Sequence, residues 1–254
     1  MIESLILILA AFLTAMLSAI IGMGGGITLL GIMAIIIPEG YMVVALHGVI
    51  QLVSNVTRAT IYREHIHKPI FLKFLIGLIP GLLLSAGIVY GLIQYYEVSS
   101  AADIKIDFLK PLIGLYILWF LYLRKKGKAV SEKAFLWMGG LSGLVTVFVG
   151  AAGPLIAPFF INNKMSKENV IATKAACQSV GHFGKLPIFI FMFSVNYLNE
   201  WTAILPLLIA VYFGTKFGKK MLGKLPESTF RMLFKVTLTV IAIRLVALEL
   251  LQLL

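Results

Sequence analysis

The feature that most restricts what this chain can fold into is a cluster of glycines inside an apolar stretch. Residues 18–38 read SAIIGMGGGITLLGIMAIIIP, with Gly22, Gly24, Gly25 and Gly26 crowded into five positions. Glycine in a helix interior costs about 1 kcal/mol relative to alanine, so four together stop a helix. The surroundings are hydrocarbon-like: 60% of the chain is hydrophobic, 13% is charged and the mean hydropathy is +0.98, the composition of a polytopic membrane protein. Backbone groups freed at membrane depth must be buried in protein or line a wet cavity. The glycine break therefore predicts a site.

Apolar segments fall at 4–21, 27–37, 41–60, 70–93, 109–123, 134–149, 154–162, 168–193, 201–216 and 228–252. A span takes about 20 residues, so 27–37 and 154–162 read as half-helices. Each follows a break, Gly22 to Gly26 in one case and Gly150 to Gly153 in the other, and Pro154 suits a first helical turn. Residues 4–21 lack the basic start and the small-residue cleavage site of a signal peptide and are read as mature structure. The single cysteine, Cys177, excludes an internal disulfide.

The two breaks expose a duplication. Gly22 and Gly25 fall on Gly150 and Gly153 at an offset of 128 residues. At an offset of 127, His47, Gln51, Asn55 and Arg58 fall on Lys174, Gln178, His182 and Lys185. Both sets run i, i+4, i+8, i+11 and so occupy one helix face. The expected fold is an all-α polytopic membrane protein of two homologous halves, residues 1–127 and 128–254, in one integrated transmembrane domain. Each half is a glycine-broken pair of helices plus three spanning helices.

Charge sets the orientation. Cationic residues cluster at 58–73 (Arg58, Arg63, Lys68, Lys73), at 124–133 (Arg124, Lys125, Lys126, Lys128, Lys133) and at 216–224 (Lys216, Lys219, Lys220, Lys224), whereas 94–108 and 194–200 are poor in them. The positive-inside rule puts the first three in the cytoplasm and the last two outside. All five obey it if 4–37 and 134–162 are re-entrant hairpins, which makes the halves inverted repeats. If 4–21 crosses instead, there are eight spans and the halves are parallel. The net charge of +11 thus reads as topology and not as a nucleic-acid surface.

The stripes and the breaks select the same kind of ligand. A cation at a helix centre costs about 2.5–3.5 kcal/mol on insertion scales, and Arg58 and Lys185, near helix ends, could snorkel to an interface. Gln51, Asn55, Gln178 and His182 share their face without a balancing acid, since every carboxylate lies at an expected helix end or loop. Half-helices starting at Ile27 and Pro154 aim positive dipole ends at the same place. The candidate anion site is therefore Gly24, Gly25, Gly26, Thr28, His47, Gln51, Asn55, Arg58, Gly153, Lys174, Gln178, His182 and Lys185.

GMGGG at 22–26 followed by Pro38, a second Gly-rich copy at 150–154 with Pro158, and halves of 127 residues together resemble the TauE/SafE sulfite exporter family, also called toluene sulfonate uptake permeases. The resemblance covers nearly the whole chain. It implies a secondary transporter of sulfite, thiosulfate or organosulfonates in a cell membrane, with the substrate between the halves. The second copy departs from the pattern: GAAGP puts Ala151 and Ala152 where the first has glycines.

Other readings are weaker. Gly140, Ser142 and Gly143 with His182 downstream resemble a rhomboid-type serine protease, but small residues at 139 and 143 equally suit close helix packing. The chain has no G-x-x-x-x-G-K-[ST] motif, so ATP drives nothing here directly. No cofactor, metal site or nucleic-acid partner is expected. The expected partners are a small anion and the bilayer, with proton coupling open to His47 or His182. An anion channel with the same cavity is the alternative class. His65 and His67 read as solvated loop residues, and Trp119, Trp137, Trp201 and Tyr62 as interfacial anchors.

Overall fold

A computed structural model describes residues 2–22, 24–104, 109–123, 131–153 and 165–221, with isolated positions between 156 and 247. Among the described residues the chain is helical, without strands. The elements are α1 (Ile2–Ile21), α2 (Gly25–Ile36), α3 (Gly40–Ile61), α4 (Lys68–Tyr95), α5 (Leu109–Leu118, continued by a π turn at Trp119–Leu123), α6 (Ala134–Val149), α7 (Lys167–Met192) and α8 (Trp201–Met221). Pro154, Pro158, Arg124 to Lys128 and Lys224 lie outside the described residues, as do most of 154–162 and 228–252.

Helix ends follow local chemistry. Ser166 caps α7 by accepting from the Asn169 N–H, and the His67 ring caps α4, whose first turn also holds Pro69. The α1–α2 break sits where glycine alone is comfortable: Gly22 has φ +80° and Gly24 φ +97°. Gly150, with φ +81°, ends α6 in the left-handed conformation.

By length and composition α1, α3, α4 and α8 can each cross a membrane, whereas α2 and α6 are shorter apolar helices. Large apolar side chains on α1 (Leu5, Leu9) and α4 (Ile76, Leu83) point outward, as lipid-facing residues do. Trp137 and Trp201 are exposed as expected of anchors, but Tyr62 is not: at 5% exposure it is buried beside Ile171 and Ala172, because α7 starts against the end of α3.

Close contacts give the helix directions. Tyr41 stacks on Phe193, His47 meets His182 and Tyr62 meets Ile171, so α3 and α7 run antiparallel. A Cβ on Gly214 would strike the Phe12 carbonyl and one on Gly218 the Met16 carbonyl, so α1 and α8 run parallel at backbone contact. The same device joins α4 to α6, where Gly77 and Gly81 meet the carbonyls of Leu136 and Gly140. Small residues four apart let helices approach where hydrophobicity provides no drive. The α2 helix turns back on α1, with Gly25 pressed on the Thr14 carbonyl.

The cationic segments gather at one end. Lys73 pairs with Glu132, Lys219 reaches the Ile61 carbonyl and Asn169 donates to the His65 carbonyl, which brings together the segments around 62–73, 131–133 and 216–220. At the other end Ser100 donates to the Met192 carbonyl, joining the two cation-poor loops.

Candidate functional site

The glycine break and the two stripes enclose one cavity. It measures about 20 Å3 and is lined by Ser18, Gly24, Gly26, Ile27, His47, Gln51, Asn55, Arg58, Ala151, Gly153, Lys174, Gln178 and His182. A water needs roughly 10–15 Å3 on this measure, so the cavity admits a small ion, and a bulky sulfonate requires it to widen. All four residues of the first stripe and three of the second, Lys174, Gln178 and His182, reach it because α3 and α7 lie antiparallel, which sets His47 against His182 with ring centroids 5.8 Å apart.

Three expected residues lie elsewhere. Gly25 faces α1, where any side chain would collide with the Thr14 carbonyl and Ser18 Oγ. Thr28 turns its hydroxyl to the Gly24 carbonyl at 3.1 Å. Lys185 is buried behind the cavity, with Nζ donating to the carbonyls of Val44 (3.1 Å) and Gly150 (3.2 Å). The lining residues not anticipated are Ser18, Ile27 and Ala151. Ser18 lies one turn before Gly22, so the break that bares the end of α1 bares Ser18 too.

Cations are held by helix ends, not by acids. Lys174 Nζ donates to the Gly22 carbonyl at 2.9 Å, and Arg58 donates to the Ser18 carbonyl (3.4 Å) and to Ser54 Oγ (3.3 Å). These carbonyls close α1, where the macrodipole is negative and lysine or arginine is stabilising. The opposite pole also faces the cavity: α2 starts without a side-chain cap, and Gly24, Gly26 and Ile27 line the wall. Its first-turn N–H groups have no partner within the helix and suit an anion. The His47 Nε2 hydrogen donates to the Gly26 carbonyl at 2.8 Å, which fastens α2 to α3.

Glycine at 26 and 153 leaves room for the two glutamines. A Cβ on Gly26 would come within 3.0 Å of Gln51 Oε1, and one on Gly153 within 2.5 Å of Gln178 Nε2. The matched clashes put each glutamine against its own half's break. Among the described residues no carboxylate lines the cavity, and no group of His, Cys, Asp and Glu could hold a metal ion.

A family model described as sulfite exporter TauE/SafE matches residues 7–245 of the 254. The chain belongs to the TauE/SafE sulfite exporter family. It is a multi-pass membrane protein of a transporter family. No curated protein and no solved structure matches it. For this TauE/SafE member the protease-like Gly140, Ser142 and Gly143 have a packing explanation: Gly139 and Gly143 abut the α4 backbone, and Ser142 is buried away from the cavity lining.

Proposed function

We propose that this TauE/SafE protein is a secondary transporter of small sulfur-containing anions, of the sulfite, thiosulfate or organosulfonate class, that binds its substrate between two inverted repeats and exposes it alternately to each side. The observation that carries this reading is the cavity itself: amide, guanidinium, ammonium and imidazole groups converge there with an uncapped helix start and, among the described residues, no acid. Donors and positive dipole ends at a broken helix are the means by which inverted-repeat transporters hold anions.

The repeat assignment, residues 1–127 and 128–254, is supported by reciprocity. The first helix of each half lies against the helix that follows the other half's stripe helix, α1 on α8 and α6 on α4, both parallel and both through glycines four apart. The stripe helices α3 and α7 meet each other antiparallel. An axis in the membrane plane produces that relation, and an axis along the normal would make α3 and α7 parallel. Under the positive-inside rule the cation-rich end is cytoplasmic.

The test is uptake of labelled sulfite or thiosulfate into proteoliposomes. Gln51→Leu and Gln178→Leu should each abolish saturable flux and counterflow while the protein still elutes as a folded species. Full activity in both variants removes the site, and non-saturable flux without counterflow makes the protein a channel.

A further inference from the structure

Four buried side-chain atoms of cavity-lining residues have no hydrogen-bond partner among the described residues: Nδ1 of His47, Nδ1 of His182 and, side by side on α3, an acceptor on Asn55 and a donor on Arg58. Asn55, 1% exposed, donates its amide Nδ2 to the Gln51 carbonyl at 2.8 Å. Of the amide's two ends only the NH2 can donate to a carbonyl, so this bond fixes the amide's orientation and turns Oδ1 the other way. Oδ1 is buried without a hydrogen-bond partner among the described residues, and so is Arg58 Nε, three residues on and on the same helix face. Both residues line the cavity. Buried polar atoms in native proteins are normally paired, and each unpaired one is costly.

A fully ionised oxyanion answers only half of this. Its oxygens can take the Arg58 Nε–H, but against Asn55 Oδ1 they present a lone pair to a lone pair. An oxyanion that retains one O–H satisfies both groups, accepting from Arg58 and donating to Asn55. We infer that Asn55 selects the singly protonated form of a small oxyanion, hydrogen sulfite over sulfite, and that the species carried is a hydrogen-oxyanion. This rests on the anion-transporter reading above and narrows its substrate. A site with an unmatched buried acceptor discriminates strongly against a ligand that cannot donate to it.

The ionisable groups around Asn55 are few. On its own helix they are His47 and Arg58, with Tyr62 beyond; α7 contributes Lys174, His182 and, behind the wall, Lys185, with Glu168 at its start; α8 brings Lys219 to the far end over Tyr62. The described helical parts of α2 and α6 contain no ionisable residue. Any pH effect must therefore be separated from titration of the two cavity histidines.

The experiment measures binding of sulfite and of methanesulfonate to the purified full chain by calorimetry between about pH 6 and pH 8. Sulfite titrates in that range, whereas methanesulfonate stays an aprotic anion. Sulfite affinity should fall about fivefold to tenfold as pH rises, following the loss of the ligand's own proton, while methanesulfonate affinity stays flat. In Asn55→Leu the sulfite dependence should flatten, with affinity at the acid end down about tenfold, the scale of one lost hydrogen bond to an ionic ligand. Sulfite binding that is constant with pH, or a parallel fall for methanesulfonate, overturns the inference and leaves the anion site standing. Failure of any anion to bind at any pH overturns the anion reading itself. The wild-type comparison decides the matter even if Asn55→Leu does not fold.

Discussion

The two polar stripes match in sequence and differ in use. On α3 two buried atoms of cavity-lining residues, Asn55 Oδ1 and Arg58 Nε, are without partners among the described residues. On α7 the two lysines are tied to backbone carbonyls on the other side of the helix packing, Lys174 to Gly22 and Lys185 to Val44 and Gly150. The difference continues one turn outward, where Tyr62, just past the end of α3, corresponds to Phe189 on α7 at the 127-residue offset, and Phe189 stacks on Phe193 in an apolar cluster. Both stripes line the cavity and both bond to the breaks, but the unpartnered amide oxygen and guanidinium nitrogen lie on α3, whereas the deepest cation of α7, Lys185, is spent on backbone carbonyls.

If that division is right, substitutions on α7 should damage folding more and those on α3 should damage transport more. The largest stability effect is expected at Lys185→Met, which removes the ammonium donor from the Gly150 carbonyl past the end of α6 and from the Val44 carbonyl within α3. Each loss costs about 1–3 kcal/mol, so the thermal midpoint of the purified protein should fall well below that of Arg58→Met. The Arg58 bonds, at 3.3 and 3.4 Å, are long, and that variant should instead lose most of its flux at near-normal midpoint. The reverse ranking would break the comparison.

The breaks offer a second contrast. Gly153→Ala places a methyl at 2.5 Å from Gln178 Nε2, whereas Gly26→Ala places one at 3.0 Å from Gln51 Oε1, a distance that a small side-chain shift accommodates. Flux should drop about tenfold in the first and about twofold in the second, a difference of roughly 1 kcal/mol. Equal losses would mean that the glutamines are not held against the breaks. A smaller effect still is expected at Tyr62→Phe. Its hydroxyl is buried without a partner among the described residues, so its removal should change stability by less than about 1 kcal/mol.

Much of this was legible in the sequence because glycine clusters and period-3.6 polar residues carry their physics locally. The segments 4–21, 41–60 and 70–93 emerge as α1, α3 and α4 within a few residues, and ten of the thirteen expected site residues line the cavity. What was not legible depends on which partner a side chain meets. Gly25 reads as part of a ligand loop, but its neighbour is the Thr14 backbone; Lys185 reads as a ligand cation, but two carbonyls from α3 and the second break claim it. Tyr62 reads as an anchor because its helix ends there, and only the arrival of α7 buries it. Gly77, Gly81, Gly214 and Gly218 could have been found, since two small-x-x-x-small pairs on apolar helices signal close packing.

Lys73 and Glu132 put the buried lysines in proportion. The same ammonium chemistry acts there at the cationic end, between side chains 37% and 45% exposed. The Lys73 hydrogen bond and charge hold the Glu132 carboxyl below its ordinary range. A lowered carboxyl contributes stability above its unfolded-state value, and that contribution is lost as pH falls through the folded-state value, so any effect is confined to the acid side. Exposed pairs are weak because water already solvates both ions. Glu132→Gln should therefore leave the thermal midpoint at neutral pH unchanged within error and remove only a small acid-side slope. A large loss at neutral pH would mean that the cationic end, and not the carbonyl-bound lysines of α7, fastens the two halves.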